Sequence, residues 1–390
     1  MKNIKLINKI AKIGTDVFDK NKYSVSLEAE SPVALMVRSA KLHDAVFDEN
    51  TIAIARAGAG VNNIPCQRCA EEGIVVFNTP GANANAVKEL TIAALLLASR
   101  EIVSAIAWAD TLERDEEVGA KVEAGKAQFA GCELFGKTLG VIGLGAIGGL
   151  VANAAEKLSM KVIGYDPYLS VNAAWDLSGS IVKADSYDEI FAKCDYISLH
   201  IPALPTTKGM INAETLAKMK DGVKIINLAR GELVDVDALK NALESGKVKK
   251  YVTDFPSDKT VGVNGIINIP HLGASTEESE DNCAVMAAKQ LVDFLEYGNI
   301  KSSVNYPNVA IPVSNTFSAR IAICHKNIAN MIASITSILS SKGLNIEHMA
   351  NGSKGEFAYT LIETNAKISQ DAADSISNID GVIKVRVIEQ

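Results

Sequence analysis

Residues 138–148 read Thr138-Leu-Gly-Val-Ile-Gly143-Leu-Gly145-Ala-Ile-Gly148. An apolar run suited to a buried strand passes directly into Gly-x-Gly-x-x-Gly and then into a helical stretch. Each glycine has its own reason. Gly143 permits the tight turn, Gly145 leaves room for a pyrophosphate against the backbone, and Gly148 lets helix and strand pack closely, with the helix N-terminus facing the phosphates. A second strand, read as Lys161–Asp166, ends in an acid 18 residues after Gly148. A carboxylate there accepts hydrogen bonds from ribose hydroxyls and repels a 2′-phosphate, which selects NAD over NADP. Pro167 and Tyr168, which follow, supply no arginine to offset it.

Working outward, the spacing predicts further strands at Val33–Arg38, Ile74–Asn78, Leu139–Gly143, Tyr196–Ile201, Lys224–Ala229, Tyr251–Asp254 and Ile266–Ile269. Several are apolar on both faces, as parallel strands covered by helices are, and the fold class is doubly wound α/β. The glycine signature starts too far along the chain to open the protein. A substrate-binding domain is therefore expected over 1–98 and 280–304, and a Rossmann-like NAD-binding domain over 99–279, with a ligand cleft between two lobes. The helical stretch Glu89–Trp108 leads into the second lobe and reads as buried; a charged helix, Thr276–Tyr297, returns to the first. Pro307, Asn308, Pro312 and Ser314 interrupt both periodicities, so 305–318 reads as a linker. Residues 319–390 follow a βαββαβ plan: strand Ile321–Cys324, helix Asn330–Lys342, strands Leu344–Asn351 and Glu356–Thr364, helix Ser369–Asn378, strand Gly381–Ile388.

Composition narrows the function. Of 390 residues, 48% are hydrophobic and 22% charged, enough for two or three cores. The net charge of −7 argues against a nucleic-acid surface. Arg100 and Glu101 interrupt the longest apolar stretch, so no membrane span is expected, and the N-terminus does not read as a signal peptide. Six cysteines form no disulfide framework, and Cys66-x-x-Cys69 lacks the partners of a zinc set, so no metal is expected. Reduced thiols suit the cytoplasm.

Three polar segments stand at or just after predicted strand ends: Asn227-Leu-Ala-Arg230-Gly231, Asp254-Phe-Pro-Ser-Asp258 and Pro270-His271-Leu-Gly-Ala-Ser-Thr276. Ligands bind outside the carboxyl ends of such strands. Oxidising a secondary alcohol needs a base for the hydroxyl proton, and histidine titrates near neutrality. Arginine offers a planar fork to a substrate carboxylate, and an acid on the far ring nitrogen fixes the histidine tautomer.

These segments, with Val37-Arg-Ser-Ala40, Arg56-Ala-Gly-Ala-Gly-Val-Asn-Asn-Ile64 and Asn78-Thr-Pro-Gly-Ala-Asn83, resemble the D-isomer-specific 2-hydroxyacid dehydrogenases over nearly the whole chain. The resemblance implies catalysis by Arg230, His271 and an acid between them. It implies a cofactor set of Gly143, Gly145, Ala146, Ile147, Gly148, Asp166, Pro202, Ala229 and Asp254. For substrate it implies Arg38, Ser39, Gly58, Ala59, Asn83, Arg230 and His271. Two departures stand out. Where the family has an Asp-Val-Phe segment followed by Glu-Pro, alignment on Phe255 and Pro256 puts Asp258 at the glutamate and Thr253 at the nicotinamide-contacting aspartate. Asp258 is thus the expected partner of His271, and Asp254 its rival. Ala146 replaces a frequent basic or polar residue.

Arg38 opposite Arg230 suits a substrate with two anionic ends. The tail resembles an ACT domain, a module that binds amino acids, and this points to the family's phosphoglycerate-oxidising branch, with NAD as cofactor and 3-phospho-D-glycerate as substrate. There, positions matching His325, Asn327 and Asn345 hold the effector L-serine, often across a dimer interface; Ala329 and Asn330 replace the usual Pro-Gly of that turn. A homodimer or homotetramer is expected. Two alternatives stay open: reduction of glyoxylate, hydroxypyruvate or 2-oxoglutarate by a sister enzyme, and NAD(H) sensing without catalysis.

Overall fold

The computed structural model describes residues 1–312 and 317–389. It divides into two compact units, Met1–Asn83 with Glu277–Gln390, and Ala84–Thr276.

The first unit opens with β1 (Lys2–Leu6), α1 (Lys12–Thr15), β2 (Tyr23–Ser26), β3 (Ala34–Val37), β4 (Ala53–Arg56), α2 (Cys66–Glu71) and β5 (Val75–Phe77). The strands form an all-parallel sheet in the order β2-β1-β3-β4-β5. Strands β3 and β5 match expectation because every residue in them is buried. Strands β1, β2 and β4 were not anticipated. Lys2 and Lys5 break the apolar run of β1, Ser24 and Ser26 that of β2, and the alanines of β4 carry little strand preference.

The second unit holds α3 (Ala84–Ser99), α4 (Ile102–Ala109), α5 (Val118–Gly125), β6 (Thr138–Ile142), α6 (Ala146–Lys157), β7 (Lys161–Tyr165), α7 (Val171–Trp175), β8 (Val182–Lys183), α8 (Tyr187–Lys193), β9 (Tyr196–Leu199), α9 (Ala213–Lys218), β10 (Val223–Asn227), α10 (Val236–Glu244), β11 (Val248–Thr253) and β12 (Ile266–Asn268). Its parallel sheet runs β12-β11-β10-β9-β6-β7-β8. The order reverses between β6 and β9, and that crevice is where a doubly wound sheet receives a ligand. The helix expected over 89–108 is instead two helices bent by 72° at Arg100–Glu101. α3 is buried along one face, whereas no residue of α4 is buried, so the expectation of burial fails beyond Arg100. Among the described residues no single helix is long and apolar enough to cross a membrane.

The chain then returns to the first unit through α11 (Glu277–Tyr297) and ends in β13 (Ala319–Lys326), α12 (Met331–Ser341), β14 (Ile346–Lys354), β15 (Phe357–Thr364), α13 (Gln370–Ser377) and β16 (Val382–Glu389). The antiparallel order β14-β15-β13-β16 is that of the predicted βαββαβ module. One face of this sheet packs Ile321, Ile323 and Ile362 against Ile335, Leu339 and Ile376 of its helices. The middle of the other face is covered as well: Phe357, Tyr359 and Leu361 join a core with Phe294, Leu295 and Tyr306. Tyr359 Oη donates to the Gly298 carbonyl at 2.6 Å and Arg386 to that of Phe294 at 2.6 Å. Residues 305–312, read from composition as part of a linker, are packed here: Asn305, Tyr306, Val309 and Ile311 are buried. The prolines there end secondary structure without freeing the chain. Ser314 lies outside the described residues.

Candidate active site

At the end of β6, Gly143 takes φ +88°, and a Cβ on it would come within 2.6 Å of the His200 carbonyl oxygen. A Cβ on Gly148 would come within 1.8 Å of the Gly143 carbonyl oxygen, so helix and turn tolerate only hydrogen there. Gly145, the N-cap of α6, differs: a Cβ on it meets nothing within 4 Å. Open space over the N-terminus of a 12-residue helix is what a pyrophosphate needs. Asp166, just past β7, accepts the Leu144 amide on Oδ2 and the Tyr168 amide on Oδ1, both at 2.9 Å. These residues fit a dinucleotide. Ala146 and Ile147 form the first turn of α6, the Pro202 carbonyl accepts from Thr207 Oγ1 at 2.6 Å, and the Ala229 amide donates to Asn227 Oδ1 at 3.2 Å.

His200 lies beneath this turn, and the motif reading did not single it out because it looked like part of a strand. Ser198 Oγ lies 2.8 Å from its Nε2, and burial pushes its pKa down to about 4, so the ring is neutral at physiological pH.

Arg230 is positioned by Asn227 at the end of β10. The buried Asn227 amide accepts the Arg230 N–H at 3.3 Å and donates to the Arg230 carbonyl at 2.8 Å and to Tyr251 Oη at 3.1 Å. The guanidinium is exposed and bonds the Ala229 carbonyl at 2.6 Å.

Asp254 follows β11 and is 1% exposed. Its carbonyl accepts the His271 N–H at 3.0 Å, and Oδ2 accepts the Gly273 N–H at 3.1 Å. Oδ1 is buried with no hydrogen-bond partner among the described residues. Burial pushes the Asp254 pKa up, against the Gly273 amide and the charges of His271 and Arg230. Thr253 is buried, with Oγ1 accepting the Phe255 N–H at 3.1 Å, so it braces the turn. His271 itself stands at φ +47°, an uncommon conformation for a residue with a Cβ, with the Phe255 ring 4.9 Å from its own.

No hydrogen bond joins the expected partner, Asp258, to the His271 ring among the described residues. Asp258 is exposed in the turn that follows Pro256, where the Ser257 amide bonds Thr260 Oγ1 at 2.8 Å. Among the described residues the Asp254 carboxylate does not hydrogen-bond the His271 ring either; its tie to that segment is the carbonyl that accepts the His271 N–H.

In the first unit, Asn8 Oδ1 accepts the amides of Arg38, Ser39 and Ala40 at 3.1–3.3 Å and shapes the turn that presents them; nothing in the motif pointed to Asn8. The Arg38 guanidinium bonds Glu280 on α11. The Gly58 amide donates to the Arg56 carbonyl at 2.9 Å, and the Ala59 carbonyl accepts from Asn78 at 2.6 Å. Asn83 is half-buried at the end of the first segment.

The three effector candidates do not converge. His325 is buried, with Nδ1 2.8 Å from the Lys326 carbonyl and Nε2 2.8 Å from Thr360 Oγ1, so both ring nitrogens are engaged inside the sheet. Asn327 bonds the Gly355 carbonyl at 3.2 Å just beyond the C-terminal end of β13, whereas Asn345 precedes β14, whose start lies at the opposite end of the sheet. An eight-residue strand separates those ends by roughly 20 Å. Asn330 takes φ +68°, the left-handed conformation a glycine would supply, so the turn survives its loss.

The order of strands and the glycine turn define a dinucleotide-binding class of α/β protein, with Arg230 and His271 set just beyond its strand ends. Residues 92–273 match the model of the D-isomer specific 2-hydroxyacid dehydrogenase NAD binding domain. The D-3-phosphoglycerate dehydrogenase of Haemophilus influenzae is 30% identical over 351 residues, 86% of this chain and 81% of that protein. That of Methanocaldococcus jannaschii is 38% identical over 262 residues, 66% of this chain and 48% of that protein. The NAD+-bound 3-phosphoglycerate dehydrogenase of Entamoeba histolytica superposes with a TM-score of 0.59 at 28% identity, covering 78% of this chain and 98% of that one. The chain belongs to the D-isomer-specific 2-hydroxyacid dehydrogenase family. It spans about half the length of several of the curated relatives it matches, 48% and 49% in two cases.

Proposed function

We propose that this protein oxidises 3-phospho-D-glycerate to 3-phosphooxypyruvate with NAD, the entry step of L-serine synthesis. The observation that carries the reading is the pair of strand ends that hold the two groups: Asn227 fixes the Arg230 backbone after β10, and the buried Asp254 after β11 accepts the His271 N–H at 3.0 Å. On this reading His271 takes the proton of the C2 hydroxyl, and the Arg230 fork anchors the substrate carboxylate. Asp254 holds the His271 segment through its carbonyl and stabilises the imidazolium that forms. Bound NAD supplies the acceptor for the two electrons that leave C2, with Asp166 facing its ribose. Arg38, with Ser39, takes the phosphate, exchanging its Glu280 partner for the substrate. The phosphoglycerate dehydrogenases among the relatives favour this substrate over the other 2-hydroxy acids of the family.

A second copy of the chain is the partner we assign to α4 and α5. Neither helix has a buried residue, and Ile102, Val103 and Ile106 present apolar surface at 39%, 51% and 59% exposure. L-Serine as effector requires two copies as well, Asn327 from one and Asn345 from the other, with His325 remaining in its sheet. The free cysteines suit the cytoplasm.

The test is NADH formation from 3-phosphoglycerate, with glyoxylate, hydroxypyruvate and 2-oxoglutarate reduction measured in parallel. His271→Ala is expected to leave NADH binding unchanged and to lower kcat by at least about 10²-fold. Faster turnover of another acid would reassign the substrate, and NADH binding with no turnover of any would make the protein a sensor.

A further inference from the structure

Away from the glycine turn, near the N-terminal ends of β9 and β10, four polar side chains converge. Parallel pairing sets Lys224 beside Tyr196 in register, which puts the Lys224 ammonium 4.6 Å from the centre of the Tyr196 ring. Cys132 reaches the same spot from the segment that precedes β6, its amide donating to the Ser99 carbonyl at 2.9 Å. Lys224 Nζ then donates to Cys132 Sγ at 3.3 Å and to Tyr196 Oη at 3.2 Å. Tyr196 Oη lies 3.4 Å from Sγ and 2.8 Å from Ser99 Oγ. Ser99 spends its own proton on the Leu95 carbonyl at 2.6 Å, so the phenol is the donor that turns between Ser99 and the sulfur.

Partial burial alone would raise the Cys132 pKa, but the hydrogen bonds from Tyr196 and Lys224 and the charges of Lys224 and Lys137 outweigh it and bring the pKa down. Burial holds Tyr196 neutral. Asp195, whose charge reaches Tyr196, is itself taken by Lys220 at 2.9 Å and by the Thr138 amide at 2.8 Å. The other five thiols move the opposite way. Burial pushes Cys69, Cys194 and Cys324 up to about 12 and raises Cys66 and Cys283. Cys132 is half-exposed, so a small reagent reaches it.

We propose that Cys132 is a redox-modification site, a lysine-paired thiolate that hydrogen peroxide oxidises ahead of every other cysteine in the chain. The thiolate attacks one peroxide oxygen; the S–O bond forms, the O–O bond breaks and sulfur loses two electrons. The departing hydroxide leaves as water, taking the proton of the new sulfenic acid, and the resulting sulfenate faces the Lys224 ammonium. The modification falls at the neck where the 100–131 excursion leaves and rejoins the fold.

The test uses the whole chain. Chloroacetamide labelling followed by peptide mass spectrometry gives the rate at each cysteine as a function of pH, and dimedone traps sulfenic acid after one equivalent of peroxide. Cys66, also half-exposed but with no cation hydrogen-bonded to its sulfur among the described residues, is the internal control. At pH 7, Cys132 is expected to alkylate at least about 10-fold faster than Cys66 and to carry the dimedone adduct. Lys224→Met is expected to remove most of that advantage and Lys224→Arg to keep it. Equal rates at Cys132 and Cys66 in the unaltered chain overturn the proposal whether or not the variants fold, as does a Lys224→Met variant that folds and labels unchanged.

Discussion

Gly145 and Gly148 look interchangeable in the motif, yet their surroundings differ. Gly148 faces a carbonyl oxygen 1.8 Å from where a Cβ would sit, so alanine there must push α6 from the turn. Gly145 faces open space at φ −68°, ψ −160°, a conformation open to any residue. Gly145→Ala is therefore expected to change unfolding stability by less than about 0.5 kcal/mol while weakening NADH binding at least about 10-fold. Urea denaturation and fluorescence titration on the same sample separate the two. His200 makes a different prediction at this scale. Its folded pKa of about 4 lies below the ordinary 6.5, so between those values the unfolded chain binds a proton that the folded chain refuses. Stability is complete above pH 6.5, falls as pH drops towards 4 and then levels off. The change is on the order of 2 kcal/mol, trimmed by the ring's partial exposure. His200→Gln is expected to flatten the urea midpoint across that window relative to the parent.

At the scale of elements, the C-terminal sheet is fastened by an ion pair its sequence did not announce. Arg320 on β13 is fully buried; its Nε meets Glu363 on β15 at 2.8 Å, and its remaining donors reach the Tyr297 carbonyl at 3.1 Å and the Pro312 carbonyl at 2.8 Å. The Phe317 ring lies 4.5 Å from the guanidinium carbon. One arginine thus ties two strands to the end of α11 and to the segment after it. Arg320→Ala leaves the buried Glu363 with only the His348 ring, 3.3 Å from its other oxygen, and is expected to cost about 3–5 kcal/mol. Arg320→Met with Glu363→Leu is expected to recover much of that loss in thermal melts, since the apolar pair leaves no charge behind.

At the scale of the molecule, the bend at Arg100–Glu101 matters most. It turns a stretch that reads as one apolar helix into a buried α3 and an exposed α4, whose apolar surface needs a cover. Ile106→Glu puts a charge at the most exposed of its large apolar side chains and is expected to shift the chain from dimer to monomer. Light scattering behind size exclusion reads this directly; an unchanged mass would remove α4 from the interface.

The sequence by itself determined what depends on local order: the glycine turn of β6 and α6, Asp166 at the end of the next strand, Arg230 and His271 at strand ends, and the βαββαβ plan of the tail. Each is a short run whose spacing has one physical explanation, so it is legible without a partner. What only the tertiary structure decided involves residues distant in the chain or direction at a turn. Alignment favoured Asp258 for His271; the structure sets Asp258 in an exposed turn and ties the buried Asp254 to the His271 backbone. The polar interruptions of 305–312 looked like a linker, but Tyr306 and Val309 fill a core supplied by strands far away in sequence. The pairing of Cys132 with Lys224, and of Arg320 with Glu363, likewise exists only once separate strands lie side by side, because a side chain's charge state and exposure are set by its neighbours in space.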